Sequence, residues 1–409
     1  MAAGKERHFL AELLARTIRV GRSARSDSTP PDLSQLLRAV LADRGEASGL
    51  TTASIILDLL EAADDEALLG FFRSLLADFS PDPVPIRALL EQPLDAAAIR
   101  SLHFLAEPPS QEVLRRLNRV PGGTARLVAL RARLNKLMKE APDLKPLDQD
   151  FRHLFASWFN RGFLEMARIN WQTPAEILER IIAYEAVHEI KSWDDLRQRV
   201  ADPDRRLFAF FHPAMPADPL IFVEVALTAA VPSAIQPILS PDRQRIEPEQ
   251  AKVAVFYSIS NCQEGLKGIS FGNFLIKQVV SELSRDLPNL KTFVTLSPVP
   301  GLAAWAKAEG LATPDDDDET CRLAARYLTK AKTASGTALD PVAHFHLGNG
   351  ASLHAIHPRA DLSPRAVRTA LGVMVNYLYD SARIETNHQA YATKKAITTS
   401  PAVTALTRS

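Results

Sequence analysis

The residues best suited to chemistry begin in a segment that spans residues 251–300. It reads AKVAVFYSIS, NCQEGLKGIS, FGNFLIKQVVSELSRDL and then KTFVTLSP, which predicts a strand, a glycine-containing loop, a helix and a second strand. Glycines let backbone N–H groups approach a ligand, and a helix N-terminus favours negative charge. The loop therefore predicts a phosphate site, with Lys267 as a nearby cation. Its spacing matches neither a P-loop nor the strict dinucleotide fingerprint, so a turn that needs positive φ is an equally good interpretation.

Ser297 is the second candidate, because it ends the strand that follows this loop. Thr295 and Ser297 are two residues apart and share one strand face. Pro298 cannot donate to the ladder, and strand ends in α/β sheets are where sites form. Ser297 would also suit the N-cap of a following helix, Gly301 to Glu309, and the pattern alone favours that cap.

Four histidines near the turn Gly348-Asn349-Gly350 form the third candidate: His344, His346, His354 and His357. Ala343 to His346 and Ala351 to Ile356 predict short strands, which would place His344 and His346 on one face. The group is compatible with zinc, with an acid/base histidine or with ordinary histidines. No acidic or cysteine ligand has matching spacing, so metal binding ranks below an acid/base role, and the pattern alone favours ordinary histidines over both.

The elements that must position these residues fall into two halves, with a predicted boundary near residue 160. Residues 1–160 have helical periodicity and almost no strand pattern, which predicts a helical bundle used for packing or self-association. Leu10, Leu13, Leu14 and Ile18, for example, share one face of a predicted first helix.

The second half alternates between strands and helices, which predicts an α/β layer domain. Leu207 to His212 and Leu220 to Leu227 read as strands joined by a proline-rich, hairpin-like loop. Pro364 to Tyr379 predicts a closing helix. The tail from about Glu385 is polar and poorly patterned.

The composition excludes several classes of protein. With 409 residues of which 46% are hydrophobic, the chain is expected to form two domains. Basic and acidic residues number 48 each, so no charge footprint indicates nucleic acid or an anionic membrane. Two cysteines, Cys262 and Cys321, exclude a disulfide framework and a four-cysteine zinc site. With no secretory h-region and no apolar run near ~20 residues, we expect a cytoplasmic protein.

Four ordered segments resemble the malonyl-CoA decarboxylase family: FYSISNCQEGLKGISFGNFLIK, TFVTLSPVPG, FHLGNGASL and MVNYLY. The helical half contributes RVPGGTARLVALRARL, which is also similar to that family. The resemblance covers most of the chain and is strongest between Val255 and Tyr379.

This resemblance implies a helical domain over residues 1–160 and an acetyltransferase-like (GNAT) domain over residues 161–409. It implies decarboxylation of malonyl-CoA to acetyl-CoA and CO2 without a metal or organic cofactor, by a homo-oligomer. The family's catalytic serine and histidine correspond to Ser297 and His346. Asn349 also matches, either to orient His346 or the thioester or to form a tight turn. The family's CoA-binding segment corresponds to Lys267, Gly268, Ile269, Ser270, Phe271, Gly272 and Asn273.

The residue types suit this reaction. A serine hydroxyl can hydrogen-bond the carboxylate or the thioester oxygen without a cation, and a histidine with a near-neutral pKa suits a proton donor. The chain departs from the family at Ser270, where a glutamate is expected, and in His354 to Pro358, where an arginine and a tryptophan are expected. A GNAT acyltransferase and a non-catalytic acyl-CoA-binding protein are the alternative hypotheses.

Overall fold

The structure is a computed structural model that describes residues 33–42, 46–269, 275–312 and 314–408. The chain divides into two compact units. The first comprises Met1–Phe163, His212–Pro216 and Gln263–Ser270, and the second comprises Leu164–Phe211, Ala217–Cys262 and Phe271–Ser409. The predicted first helix around Leu10 and the loop residues 270–273 lie outside the described residues.

The first unit is built from helices, as its leucine periodicity predicts. In the described part of the chain they are α1 (Leu33–Leu41), α2 (Glu46–Ala62), α3 (Asp65–Asp78), α4 (Pro83–Leu90), α5 (Ala96–Leu105), α6 (Pro109–Asn118), α7 (Gly123–Leu137) and α8 (Lys145–Trp158), with 3-10 turns at Pro142–Leu144, Arg161–Phe163 and Glu264–Leu266. Local sequence sets several starts: Asp64 and Asp95 cap α3 and α5 by accepting backbone N–H groups. Such caps satisfy donors that the first helical turn leaves unpaired.

The leucine and phenylalanine stripes of this unit form its core. Helices α3, α6, α7 and α8 contact one another, and their inward side chains are almost completely excluded from solvent. These include Leu75, Leu114, Leu134, Phe151 and Phe155. The stripes are therefore core positions, as the helical periodicity predicts.

A short segment of the later chain, residues 263–269, completes the helical unit by packing on α7. The buried Arg131 guanidinium on α7 donates to the carbonyl oxygens of Gly265 (2.6 Å) and Lys267 (3.0 Å). Arg131 is itself paired with Asp148 at 2.8 Å. A helix of the first unit therefore holds the backbone at Lys267, the start of the predicted CoA-binding segment, and at Gly265 just before it.

Two glycines of this loop are required for different reasons. A Cβ on Gly265 would lie 1.8 Å from the Val128 carbonyl oxygen, so only glycine permits the close approach to α7. Gly268 has φ +76°, a left-handed conformation that glycine adopts without strain. The positive-φ interpretation is therefore confirmed for Gly268, whereas packing explains Gly265.

The second unit is a mixed sheet with helices on it. Its strands are β1 (Glu165–Ile169), β2 (Arg205–Phe211), β3 (Ile221–Thr228), β4 (Val253–Asn261), β5 (Thr292–Thr295), β6 (Ser297–Pro298), β7 (Ser352–His357) and β8 (Met374–Leu378). Its helices are α9 (Ala175–Tyr184), α10 (Trp193–Val200), α11 (Gln236–Leu239), α12 (Leu275–Asp286), α13 (Leu302–Ala308), α14 (Asp317–Lys330), α15 (Pro341–Gly348), α16 (Pro364–Ala370), α17 (Ile384–Lys394) and α18 (Pro401–Leu406), with a 3-10 turn at Pro248–Gln250. Among the described helices, none combines the length and apolarity that crossing a membrane requires.

The strand order is β1-β2-β3-β4-β5-β8-β6, with β7 also paired to β8. Strands β4 and β5 are parallel, and the other described pairs are antiparallel. Pairing between β4 and β5 ends at Phe256 and Thr295, although β4 continues to Asn261. A register shift between β3 and β4 falls at the same level, between Glu224 and Val225. Ser297 opens β6 just beyond the point where the two parallel strands separate.

Two sequence-based interpretations of this unit are wrong. Ala343 to His346 is not a strand but part of α15, which starts where Asp340-Pro341 supplies an N-cap and a first-turn proline. Pro364 to Tyr379 is not one helix but α16 followed by β8. Leu371 and Gly372, with φ of 55° and 74°, end that helix in the left-handed region. The supposedly unpatterned tail forms α17 and α18.

We expect Gly265→Ala to destabilise the protein by about 1–3 kcal/mol, because the Val128 backbone must shift to admit a methyl group. Denaturant unfolding measures this change. Gly70→Ala in α3 is the matched control: nothing lies within 4 Å of its added Cβ, and alanine there should stabilise by up to about 1 kcal/mol. Equal stability of the two variants would contradict the close packing.

Candidate active site

Ser297 and His346 meet inside the second unit. Ser297 Oγ lies 3.1 Å from His346 Nε2, although 49 positions separate the residues in the chain. Only 6% of Ser297 and 2% of His346 are exposed. Ser297 pairs with Val375 in the sheet, and Gly301 occupies the N-cap of α13, so the helix-cap interpretation of Ser297 is wrong. The end of the sheet and the buried side of α15 thus bring together two polar groups.

Two tyrosines complete the environment of the imidazole. His346 Nδ1 lies 2.8 Å from the hydroxyl oxygen of Tyr379, the residue that follows β8. The Tyr377 ring stacks on the imidazole, with 4.6 Å between ring centroids and 23° between planes. Both imidazole nitrogens therefore have partners, and one ring face is covered.

The hydrogen-bond network indicates which group is the donor in each hydrogen bond of the site. The single hydroxyl proton of Ser297 is donated to Thr295 Oγ1 at 2.9 Å. Ser297 Oγ can then only accept from His346, so Nε2 carries the imidazole proton. With that tautomer, Nδ1 accepts from the Tyr379 hydroxyl. Donation runs from Tyr379 to His346, then to Ser297 and to Thr295.

Burial keeps this site uncharged. It lowers the pKa of His346 to about 3, so the imidazole is neutral at physiological pH. Burial also raises the pKa of Tyr377 and Tyr379 well above the usual value. The expectation of a near-neutral pKa for His346 is therefore wrong. A neutral imidazole with a fixed Nε2–H is a good hydrogen-bond donor and a weak base.

Three of the predicted CoA-binding residues, Lys267, Gly268 and Ile269, lie in the described part of the loop, which packs on α7. The side chain of Lys267 is exposed, as is Gly268, while Ile269 is buried. Ser270, Phe271, Gly272 and Asn273 lie outside the described residues. The CoA-binding role of this segment stays a prediction.

Asn349 caps the C-terminus of α15. Its side-chain Nδ2 donates to the Phe345 carbonyl oxygen at 2.7 Å. The next residue, Gly350, has φ +86°, and a Cβ there would lie 2.2 Å from the Ile384 carbonyl oxygen. These contacts account for the tight-turn interpretation of Asn349, and its role toward substrate stays a prediction.

The other histidines have separate surroundings and do not gather around one point. His344 and His346 are two residues apart on a helix, which turns them to nearly opposite sides. His344 Nδ1 is 2.8 Å from the Tyr391 hydroxyl, and His357 Nε2 is 2.5 Å from Asn376 Oδ1. Among the described residues, no group of three or more His, Cys, Asp or Glu side chains could hold a metal ion.

Sequence reasoning missed the contribution of Tyr379, which was assigned to a helix. The alternation of Val375, Tyr377 and Tyr379 is the period-two signal of a strand, and it would have placed both tyrosines on one face. Likewise, Asp340-Pro341 is a helix-start signal that would have placed His346 on a helix.

The fold and site together define a class. A helical unit is followed by a mixed sheet whose parallel strands separate beside a buried Ser–His pair, which is a two-part protein of a helical domain and a mixed α/β domain. The family model described as malonyl-CoA decarboxylase N-terminal domain matches residues 79–159. The model of the C-terminal domain matches residues 162–320 and 315–409. The chain belongs to the malonyl-CoA decarboxylase family, so the predicted family and its carboxy-lyase class are confirmed.

Individual relatives agree with this assignment over nearly the whole chain. Mitochondrial malonyl-CoA decarboxylase of Rattus norvegicus is 31% identical, over 93% of this chain and 89% of the relative. The mitochondrial malonyl-CoA decarboxylase of Anser anser anser is 36% identical, over 74% of this chain and 70% of the relative. The crystal structure of malonyl-CoA decarboxylase from Rhodopseudomonas palustris is 48% identical with a TM-score of 0.87, over 92% of this chain and 99% of that one. The predicted two-part fold is thereby confirmed.

We expect the catalytic rate constant kcat to show no ionisation near 6.5, the ordinary pKa of histidine, because burial keeps His346 neutral down to pH about 3. A kcat profile from about pH 5.5 to about pH 8 should be flat, since kcat reports groups in the enzyme–substrate complex. A one-proton limb near pH 6.5 would contradict the neutral imidazole. Circular dichroism at each pH is the control for unfolding.

Proposed function

We propose that this chain decarboxylates malonyl-CoA to acetyl-CoA and CO2, with Ser297 and His346 at the reacting centre. The observation that carries this proposal is the buried, uncharged chain of hydrogen bonds from Tyr379 through His346 to Ser297. Family membership supports the substrate, because the named relatives are malonyl-CoA decarboxylases.

An uncharged donor suits the bond-breaking step. As the bond between the α-carbon and the carboxylate breaks, its electron pair passes to the α-carbon and is delocalised into the thioester as an enolate. When substrate binds, the Ser297 hydroxyl exchanges its hydrogen bond to Thr295 for one to the carboxylate or the thioester oxygen, where charge develops. A fixed cation would stabilise the carboxylate of the bound substrate and so oppose its loss. A buried neutral site instead disfavours the localised charge of the carboxylate more than the dispersed charge of the transition state.

The second step requires one proton on carbon. In our proposal His346 gives the enolate its Nε2 proton, and the Tyr379 hydroxyl proton passes to Nδ1, so the imidazole remains neutral. An enolate carbon is a stronger base than an imidazolate nitrogen, so a neutral imidazole can serve as this acid. Solvent then returns one proton to Nε2 as the Nδ1 proton goes back to Tyr379, which restores the Nε2–H tautomer and the tyrosine hydroxyl. A His346 pKa of about 3 disfavours the alternative in which it activates a nucleophile as a general base.

The remaining predicted residues are proposed to bind the CoA part of the substrate. Lys267 offers an exposed cation for a phosphate, and Asn349 lies at the end of the helix that carries His346. No separate cofactor or metal is proposed, since CoA enters as part of the substrate. The proposed CoA-binding segment is Lys267, Gly268, Ile269, Ser270, Phe271, Gly272 and Asn273.

Incubating the purified protein with malonyl-CoA should yield acetyl-CoA and CO2 in equal amounts, with a chelator present and without an acceptor. Ser297→Ala and His346→Ala should each lower kcat by ~10²–10⁴-fold, since each removes a donor to developing charge or to carbon. Product chromatography and CO2 release measure both effects.

His344→Ala is the matched control, because it lies on the same helix but contacts Tyr391 instead of Ser297. It should keep most of the rate. Near-normal turnover of His346→Ala would overturn its assigned role. If malonyl-CoA survives while an added amine becomes acylated, the protein is an acyltransferase instead.

We also propose a homo-oligomer that associates through α4 and α5. These helices contact each other, yet neither contains a buried residue. Four large apolar side chains of these helices, and a fifth on the connection between them, are 52–70% exposed, which is unusual for adjacent helices of a monomer. The exposed side chains are those of Val84, Leu90, Leu94, Ile99 and Phe104. A second copy of the chain is the proposed occupant, as the family resemblance implies.

The double variant Ile99→Lys/Phe104→Lys should have a lower molar mass in solution than the parent, because buried lysines would disrupt an apolar interface. Light scattering after size-exclusion chromatography measures this mass. Val367→Lys is the control, since Val367 is 49% exposed on α16 and outside the proposed surface. A parent protein that is monomeric, or a double variant of unchanged mass, would contradict this interface.

The cytoplasm and a role in fatty acid metabolism remain our proposals. Both cysteines, Cys262 and Cys321, are free and buried, which suits a reducing compartment. A mitochondrial matrix is also reducing, and the curated relatives are named as mitochondrial, so cell fractionation decides between the compartments. The metabolic role follows from malonyl-CoA as the proposed substrate.

A further inference from the structure

Strands β5 and β6 are one strand that is interrupted at Thr295-Leu296 without a change of register. Val294 pairs with Leu378, and Ser297 pairs with Val375. Three residue steps separate these pairs on either strand, so no residue has been inserted or skipped. Something specific must therefore replace the ladder bond that is missing between the pairs.

Two side chains supply that replacement. The Tyr379 N–H donates to the Phe293 carbonyl oxygen at 2.9 Å, so a regular antiparallel ladder would next join the Tyr377 N–H to the Thr295 carbonyl. Instead, the Tyr377 N–H donates to Thr295 Oγ1 at 3.1 Å. The Thr295 carbonyl oxygen accepts from Asn376 Nδ2 at 2.7 Å. Two hydrogen bonds that involve side chains therefore replace one hydrogen bond between backbone groups.

Asn376 is held in a single orientation. It has 0% exposure, and its Nδ2 also lies 3.4 Å from the Pro232 carbonyl oxygen. Its Oδ1 lies 2.5 Å from His357 Nε2, which must be the donor because the amide oxygen can only accept. The amide therefore cannot flip without leaving the buried Thr295 carbonyl unpaired, which is costly.

The exchange of hydrogen bonds places the Thr295 hydroxyl where it determines which of Ser297 and His346 donates the hydrogen bond between them. Thr295 Oγ1 accepts both from the Tyr377 N–H and from the Ser297 hydroxyl. The proton of Ser297 is thereby turned away from His346, and Ser297 Oγ is left to accept the Nε2 proton. Tyr377, anchored by the same oxygen, stacks on the imidazole.

We propose that Thr295 and Asn376 are positioning residues that fix the direction of proton donation through Ser297 and His346. The inference rests on the proposed roles of Ser297 and His346 in decarboxylation. Without the Thr295 hydroxyl, the Ser297 proton turns to His346 Nε2. The imidazole proton then moves to Nδ1 and faces Tyr379, so Nε2 has no proton to give.

The test compares Thr295→Val, which keeps the side-chain shape, with Thr295→Ser, which keeps the hydroxyl. ¹⁵N NMR of histidine-labelled protein distinguishes the two tautomers, and His346→Gln identifies the His346 signals. We expect the Nε2–H tautomer in the parent and in Thr295→Ser, and the Nδ1–H tautomer in Thr295→Val. The parent and Thr295→Ser should have similar kcat values. In Thr295→Val, kcat should be lowered by about 10–100-fold, with KM little changed.

Asn376→Asp provides an independent arm, because a carboxylate of the same shape cannot donate to the Thr295 carbonyl. It should lower kcat in the same range, measured well below a melting temperature that the unpaired carbonyl also lowers. Thr292→Val, at the start of β5 and away from the Ser–His pair, is the control for valine in this strand and should retain the parent rate.

Several results would overturn the proposal. These are a parent protein with the Nδ1–H tautomer, a Thr295→Val variant with the parent tautomer, and a Thr295→Ser variant as slow as Thr295→Val. The NMR readout does not depend on turnover. A fully active Ser297→Ala would thus refute the proposed role of Ser297 while the tautomer remains measurable.

Discussion

The site depends on keeping one imidazole both buried and neutral. His346 has hydrogen-bond partners on both nitrogens and a tyrosine ring on one face, with 2% of its surface exposed. Charging it there would cost part of the hydration that a cation has in water, which is why its pKa falls to about 3. The neighbouring hydroxyls of Ser297 and Tyr379 add polarity without charge. The result is a site able to donate hydrogen bonds and protons while offering no fixed cation to hold a carboxylate.

Two backbone features bring these groups together. The parallel strands β4 and β5 lose their pairing after Phe256, and the chain beyond β5 continues as β6 along β8, which positions Ser297. Asp340 accepts the N–H groups of Val342 and Ala343 and so starts the helix that carries His346. Neither feature is catalytic by itself. Each fixes the direction in which a polar side chain enters an otherwise apolar interior.

The helical unit has a structural task beyond packing its own core. Arg131 uses its guanidinium to hold two backbone carbonyls of the loop that the family resemblance assigns to CoA, and Gly265 permits that loop to approach α7 closely. A guanidinium with five fixed donors suits such a clamp better than a lysine would. The loop is thus organised by its backbone, which leaves the Lys267 side chain exposed to solvent.

The sequence by itself determined the helical first half, the β2–β3 hairpin and the family, and it pointed to Ser297 and His346, because periodicity and motif order are local properties of the chain. Its errors were local as well: the helix-start signal of Asp340-Pro341 and the strand alternation around Tyr377 were overlooked. Only the tertiary structure decided the charge of His346, its tautomer and its tyrosine partners. Burial and hydrogen-bond direction depend on residues that are distant in sequence, and no spacing rule encodes them.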